Sequence, residues 1–303
     1  MATETSTLLV PDAQTRKRAM RPVGSQRPAR SGRLAMHLAL IIYCTTSAAA
    51  FVWTAMISLK TNPEFFTTAP WSLPAEPQFQ NYVTAWSGAQ IGRFFLNSLY
   101  ATVVSVTVSL IFAAMAAYVL ATVKFVGRGV ARLVFLAGLM MPPFLVIIPL
   151  YALLQNLGLL GSIHGLVLVY IATQIPFSVY LLSSFFQSLP RDFEEAAAID
   201  GAGPFRTFFS VVLPQTMPAL ASVALLNTLS IWNEFFFALV LLNDVNSQTI
   251  PIGILGLAIN AQYSAQWVQL FAGLIITMIP VLILFSIAQE KIAQGVNIGG
   301  IKG

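Results

Sequence analysis

Four of the eleven acidic residues in this 303-residue chain fall within nine positions: Asp192, Glu194, Glu195 and Asp200. They lie in Leu189-Pro190-Arg191-Asp192-Phe193-Glu194-Glu195-Ala196-Ala197-Ala198-Ile199-Asp200-Gly201-Ala202-Gly203-Pro204-Phe205-Arg206-Thr207-Phe208-Phe209. The stretch reads as helix, turn, helix. Pro190 suits a first helical turn, and the carboxylates of 192, 194 and 195 favour the positive end of a helix dipole. Ala196 to Ala198 are strong helix formers. Gly201 and Gly203 stop that helix, and Pro204 can open the next. Phe205, Phe208 and Phe209 then fall at i, i+3 and i+4, one aromatic face that must be buried against the chain's own bundle or a partner. Polar and aromatic docking is the chemistry this pattern offers.

Bond-making chemistry finds no such concentration. Cys44 is the one cysteine, which excludes an intrachain disulfide and a thiolate metal cluster. His37 and His164 sit in different segments and make a poor metal site. No Ser/His pair, paired intramembrane aspartates or His-rich metal motif falls on facing spans. The phosphate-cradling pattern G-x4-G-K-[ST] is missing from the sequence, so any ATP hydrolysis must belong to another subunit. No enzyme activity, bound cofactor or metal is expected of the chain itself.

The elements that carry the acidic stretch follow from composition. The chain is 57% hydrophobic and 9% charged, with a mean hydropathy of +0.77. Soluble domains are about one quarter charged, so an ordinary soluble protein and a disordered one are both excluded. A polytopic membrane protein of all-α class remains. Residues 1–33 are polar, basic and broken by Pro11, Pro22 and Pro28, and they read as a disordered tail. The domain that follows covers 34–303. Apolar runs predict spans at 34–59, within 94–123, at 133–154, 165–188, 217–242 and 267–288. Placing the N-terminus in the cytoplasm puts fourteen of the sixteen Lys and Arg residues inside, leaving only Lys60 and Arg93 outside. That bias fixes six spans with both termini cytoplasmic. The net charge of +5 comes mostly from the N-terminal tail, so it is no sign of nucleic-acid binding.

Within this topology the acidic stretch belongs to a cytoplasmic segment, 189–214. The outer segment 243–266 carries an apolar core, Ile250 to Ile259, too short to span and suited to dipping toward the membrane or meeting an external partner. Glu234 is the one acidic residue inside a predicted span, which makes it a candidate for the pathway or outer gate. At about 28 Å along its helix it sits near the outer interface. Pro142-Pro143, Pro149, Pro176 and Pro280 interrupt spans, and broken helices often line translocation pathways.

At this point the sequence resembles a known family. Glu195-Ala196-Ala197, three residues, Gly201, nine residues, Val211, one residue and Leu213-Pro214 match the cytoplasmic signature E-A-A-x3-G-x9-I-x-L-P of permease subunits of binding-protein-dependent ABC importers, with Val211 for isoleucine the sole departure. Asp200-Gly201-Ala202, Asn62-Pro63, Asn97-Ser98, Trp232-Asn233-Glu234-Phe235 and the ending Gln294-Gly295-Val296…Gly299-Gly300-Ile301-Lys302-Gly303 are similar to the smaller permease of maltose-type sugar importers. The resemblance covers residues 34–303.

The resemblance implies the importer type I permease fold in the cytoplasmic (inner) membrane and a carbohydrate cargo. It implies a second homologous permease, two copies of an ABC ATPase that hold ATP and Mg, and an extracytoplasmic sugar-binding protein. Membrane lipid is the solvent, and nucleic acid is not a partner. A coupling helix docked on the ATPase would comprise Glu194, Glu195, Ala196, Ala197, Asp200, Gly201, Ala202, Gly203, Phe205 and Phe208. Gly201 would form its turn and Glu195 would make polar contacts. Residues Gly299 to Gly303 could also reach the ATPase pair, and 243–266 would face the binding protein. Trp232, Asn233, Glu234 and Pro142 are the pathway or gate candidates. The rival is a secondary transporter driven by an ion gradient, which would usually need more ionisable groups within its helices than Glu234.

Overall fold

A computed structural model describes residues 30–299; the expected disordered tail falls outside them up to residue 29, as do Gly300 to Gly303 of the C-terminal ending. Every regular element among the described residues is helical. By its contacts the chain divides into residues 1–52 and 53–303. The first unit contributes one described stretch, the larger part of helix α1 (Arg30–Ser58).

The second unit begins with an outer segment built on the end of α1. Thr61 and Glu64 form a reciprocal capping box that starts α2 (Asn62–Thr67). The side chain of Asn62 accepts a bond from the backbone N–H of Val268 at 3.3 Å. Lys60, one of the two outer basic residues, is buried, and its Nζ donates to Thr68 Oγ1, the Ala69 carbonyl and Ser72 Oγ at 2.9–3.3 Å. A buried ammonium needs such donors' partners, and three neutral oxygens supply them. A short helix α3 (Gln80–Val83) runs into a π-turn at Thr84–Gly88.

The membrane bundle follows: α4 (Ile91–Thr122), α5 (Arg128–Met140), α6 (Pro143–Asn156) and α7 (Ile163–Ser188). Then come α8 (Asp192–Ile199), α9 (Pro204–Gln215), α10 (Met217–Trp232), α11 (Phe236–Leu241), α12 (Ile250–Ser264) and α13 (Trp267–Gly299). Helices α1, α4, α7 and α13 are each long and apolar enough to cross a membrane, and two bent pairs complete six spans.

One bend falls at Pro142-Pro143, where the span expected at 133–154 was expected to be interrupted, and the other stands at the entrance to the span expected at 217–242. Helices α5 and α6 meet at 99°. Proline after Met141 pushes that residue out of the helical region, to ψ 118°, and Pro143 supplies a ready first turn for α6. The other span is entered from α9 through a 74° bend and leaves the helix at Asn233, with α11 resuming at Phe236.

Helix α4 packs most extensively on α7. Its buried line is almost all small: Ser98, Ala101, Ser105, Ser109, Ala113, Ala117 and Ala121 recur every three or four residues. Small residues let two backbones approach, which is how helices associate where lipid removes the hydrophobic drive. Across this core Asn227 of α10, fully buried, donates to Ser178 Oγ of α7 at 2.8 Å. The C-terminal carbonyls of α4 are capped by guanidiniums. Arg128 bonds Leu120 and Ala121, and Arg132 bonds Leu120, at 2.7–2.9 Å.

Candidate functional site

The cytoplasmic segment is a helix, a left-handed turn and a helix. Helix α8 ends in a complete Schellman cap. The Ala202 N–H bonds the Ala197 carbonyl at 2.9 Å, the Gly201 N–H bonds the Ala198 carbonyl at 3.1 Å, and Gly201 takes φ +75°. A side chain at Gly201 would meet nothing within 4 Å. The position therefore needs glycine for its backbone angle and not for space. Gly203 precedes α9 in extended backbone, and Pro204 opens that helix.

Which side chains turn outward is decided by packing. Ala197 and Thr207 are buried, and Phe208 lies 5% exposed with its ring 4.9 Å from Tyr118 of α4. Ile199 and Phe205 stand 87% and 75% exposed on either side of the Gly201 turn. The three phenylalanines do not share one buried face. The regular spacing breaks at a π-stretch, Phe208–Val212, so Phe208 is an anchor in the bundle while Phe205 and Phe209 point away from it. The side chains of Glu195 and Asp200 make no hydrogen bond or ion pair among the described residues, whereas Glu194 interacts with the Tyr118 phenol. Ala196, Gly201 and Gly203 are exposed and Ala202 is half-buried. Behind the segment lies a small cleft of about 80 Å³, lined by Thr122, Gln187, Arg191, Glu194 and Gln215 among others.

The second group of candidates builds a break in a membrane helix. Glu234 Oε1 accepts from the Phe237 N–H at 2.8 Å, and Oε2 from the Ala238 N–H at 3.2 Å and from the Tyr170 hydroxyl at 2.6 Å. The carboxylate is thus the cap of α11, replacing the water that its orphan N–H groups would otherwise need. Asn233 donates its amide back to the Leu229 carbonyl at 2.8 Å, near the end of α10. Trp232 is buried, edge-on to Phe95 with centroids 5.6 Å apart. Pro142 is exposed at the bend between α5 and α6. The two breaks touch: Phe144, at the start of α6, packs edge-on against Phe236, at the start of α11, at 4.6 Å.

Sequence reasoning passed over the ties that hold the outer loop. Asn97 donates to the carbonyls of Asn246 and Gln248, both at 2.8 Å, and Arg93 also bonds the Asn246 side chain. Ser98 Oγ accepts the Ile250 N–H at 2.9 Å and so caps α12. The apolar core expected for 243–266 is this fifteen-residue helix, with Ile250, Ile252, Leu257 and Ala261 buried. His164, exposed at the start of α7, pairs with the Tyr100 hydroxyl at 3.0 Å.

Residues 109–298, which include both breaks and the whole cytoplasmic segment, match the family described as binding-protein-dependent transport system inner membrane component. The chain belongs to that family. The permease is 41% identical over 263 residues to the diacetylchitobiose uptake system permease protein NgcG of Streptomyces coelicolor, a match covering 87% of each chain. It is 31% identical to the galactooligosaccharides transport system permease protein GanQ of Bacillus subtilis, over 89% of this chain and 93% of that one. Among solved structures it resembles a bacterial ABC transporter involved in the import of the acidic polysaccharide alginate, with a TM-score of 0.73 at 25% identity, covering 86% of this chain and 98% of that chain. The permease is a multi-pass component of the cell membrane and a transport subunit, not an enzyme.

Proposed function

We propose that this permease carries a saccharide across the membrane on delivery by an extracytoplasmic binding protein. In this reading it pairs with a second permease, and two copies of an ABC ATPase drive it. The saccharide follows from relatives named for diacetylchitobiose and galactooligosaccharide uptake. The coupling role rests on one observation: Ile199 and Phe205 are exposed beside a turn whose own anchors, Ala197, Thr207 and Phe208, are sunk in the bundle. Apolar side chains held outward on a rigid support in water favour a partner groove. Glu195 and Asp200 supply polar contacts at its rim. ATP and Mg belong to the partner ATPase, and this chain's part is to receive a push at α8–α9 and pass it through the Phe208–Tyr118 contact to α4.

The pathway in this reading runs beside the paired breaks, where α6 and α11 begin. Discontinuous helices leave backbone groups that can line a polar route. Glu234 acts there as a fixed cap. Its carboxylate already holds three donors, which leaves it poorly suited to pick up and release a coupling ion and weakens the gradient-driven alternative.

The test is co-purification from the native host in mild detergent. Ile199→Asp and Phe205→Asp, both at exposed positions, should insert normally and release the ATPase, abolishing transport. Full ATPase retention in both variants overturns the docking assignment. A wild-type complex that imports no saccharide overturns the cargo.

A further inference from the structure

The chain between α1 and α3 turns back toward the membrane it has just left. Trp53 lies five residues before the end of α1, which at 1.5 Å per residue is about 7.5 Å inward. Its indole N–H donates to the Pro70 carbonyl at 3.0 Å, and its ring lies 6.1 Å from the Trp71 ring. On the other side, Phe271 sits about 6 Å inside the start of α13. Phe65 packs 6.0 Å from Phe271 and stacks on Trp267 at 6.3 Å. The return limb is tied to the same level. The Gln78 N–H donates to the Leu59 carbonyl, and the Asn81 amide to the carbonyls of Ser58 and Lys60, all at 2.8 Å. Two spans thus hold the segment at the depth where amphipathic segments seat in a bilayer, about 5–10 Å into the headgroup–acyl boundary.

The segment turns apolar groups outward. Phe66, Trp71, Leu73 and Phe79 are 59–76% exposed. Between Lys60 and Arg93 the charged residues are Glu64 and Glu76 alone. Lys60 is buried, and the Glu64 carboxylate accepts the N–H groups of Thr61 and Ala75 at 3.4 and 2.9 Å. These internal bonds make a tied frame from which the four apolar side chains stand out. A patch of that kind wants an apolar cover, and its level decides which. At the ends of two membrane spans the neighbour is lipid, where tryptophan gathers because its ring is apolar and its N–H can reach water. With Lys60 sunk and no further cation before Arg93, anionic headgroups find nothing to pair with on this face.

We propose that residues 62–79 are an interfacial anchor: Phe66, Trp71, Leu73 and Phe79 sit among the lipids of the outer leaflet and fix the depth of the outer ends of α1 and α13. The anchor grips both, α1 through Trp53 and α13 through the bond of Asn62 to Val268. Apolar burial holds it in place, and electrostatic attraction to anionic lipid has no part.

Trp71 reports on its own surroundings. The permease, with the subunits that copurify, is reconstituted in phosphatidylcholine carrying bromine on the upper acyl carbons. The signal of Trp71 is the difference in fluorescence between wild type and Trp71→Phe. Bromolipid should quench that signal several-fold more than iodide present on both faces of the bilayer. Anionic lipid or added salt should leave the bromolipid quenching unchanged. Leu73→Trp in the otherwise wild-type chain should add a second bromolipid-quenched signal, which does not depend on how Trp71→Phe folds. Iodide quenching equal to or above that by bromolipid at both positions places the segment in water and overturns the anchor. If neither quencher reaches either position, protein covers the patch and the anchor is overturned. Bromolipid quenching that rises with anionic lipid and falls with salt shows that charge holds the segment, which overturns an anchor made by apolar burial.

Discussion

The Tyr170 hydroxyl donates to Glu234 Oε2 at 2.6 Å, tying the first third of α7 to the gap between α10 and α11. Tyr170 is 2% exposed, so its hydroxyl has no water to turn to. Losing the carboxylate leaves three donors without a partner, and losing the tyrosine hydroxyl leaves one acceptor short of a bond. Glu234→Ala should therefore cost more stability than Tyr170→Phe, with about 1–3 kcal/mol expected for an orphaned buried donor. The double variant should fall short of the sum of the singles, because they share one bond. Thermal unfolding of the purified permease in detergent measures all three. An additive double variant would show that the two groups are not coupled.

Gly201 should respond to backbone angle rather than to side-chain volume. At φ +75° a side chain meets no neighbour but strains the chain, by roughly 1–2 kcal/mol. Gly201→Asn should keep much of the transport, Gly201→Ala less, and Gly201→Val least. Transport assays on the three variants check that order. A ranking by size alone, with Ala better than Asn, would contradict it.

Arg128 and Arg132 serve topology through charge and the α4 terminus through their forked hydrogen bonds. Lysine keeps the first role and loses most of the second. Arg128→Lys and Arg132→Lys together should insert in the normal orientation yet lower the melting temperature. Cysteine-labelling of the two membrane faces and a melting curve separate the two effects.

Asn227 crosses from α10 to α7 within the core, and its amide oxygen has no partner among the described residues. Such interhelical bonds in membranes average about 0.6 kcal/mol and reach about 1.7. Asn227→Ala should destabilise by more than the bond itself, since it opens a cavity and orphans the Ser178 hydroxyl. Asn227→Ala combined with Ser178→Ala should recover part of the loss. Denaturation of the variants in mixed micelles would reveal whether it does.

By itself the sequence determined the membrane class, the number of spans, their orientation and the position of the cytoplasmic helix-turn-helix stretch. Each of these rests on composition or short-range spacing: apolar runs of about twenty residues, the side on which basic residues gather, and a turn that demands glycine at 201. Tertiary structure decided the rest. The span expected at 217–242 carries one charged residue, and only the meeting of Glu234 with Tyr170, 64 residues away, shows why the helix stops and restarts there. Three phenylalanines spaced for one face end with Phe208 inside and Phe205 outside, because a π-stretch and the Tyr118 ring set the phase. The small-residue line of α4 has meaning only once α7 is against it. Hydropathy and spacing report what each segment wants from its solvent, whereas caps, bends and pockets come from partners distant in the chain.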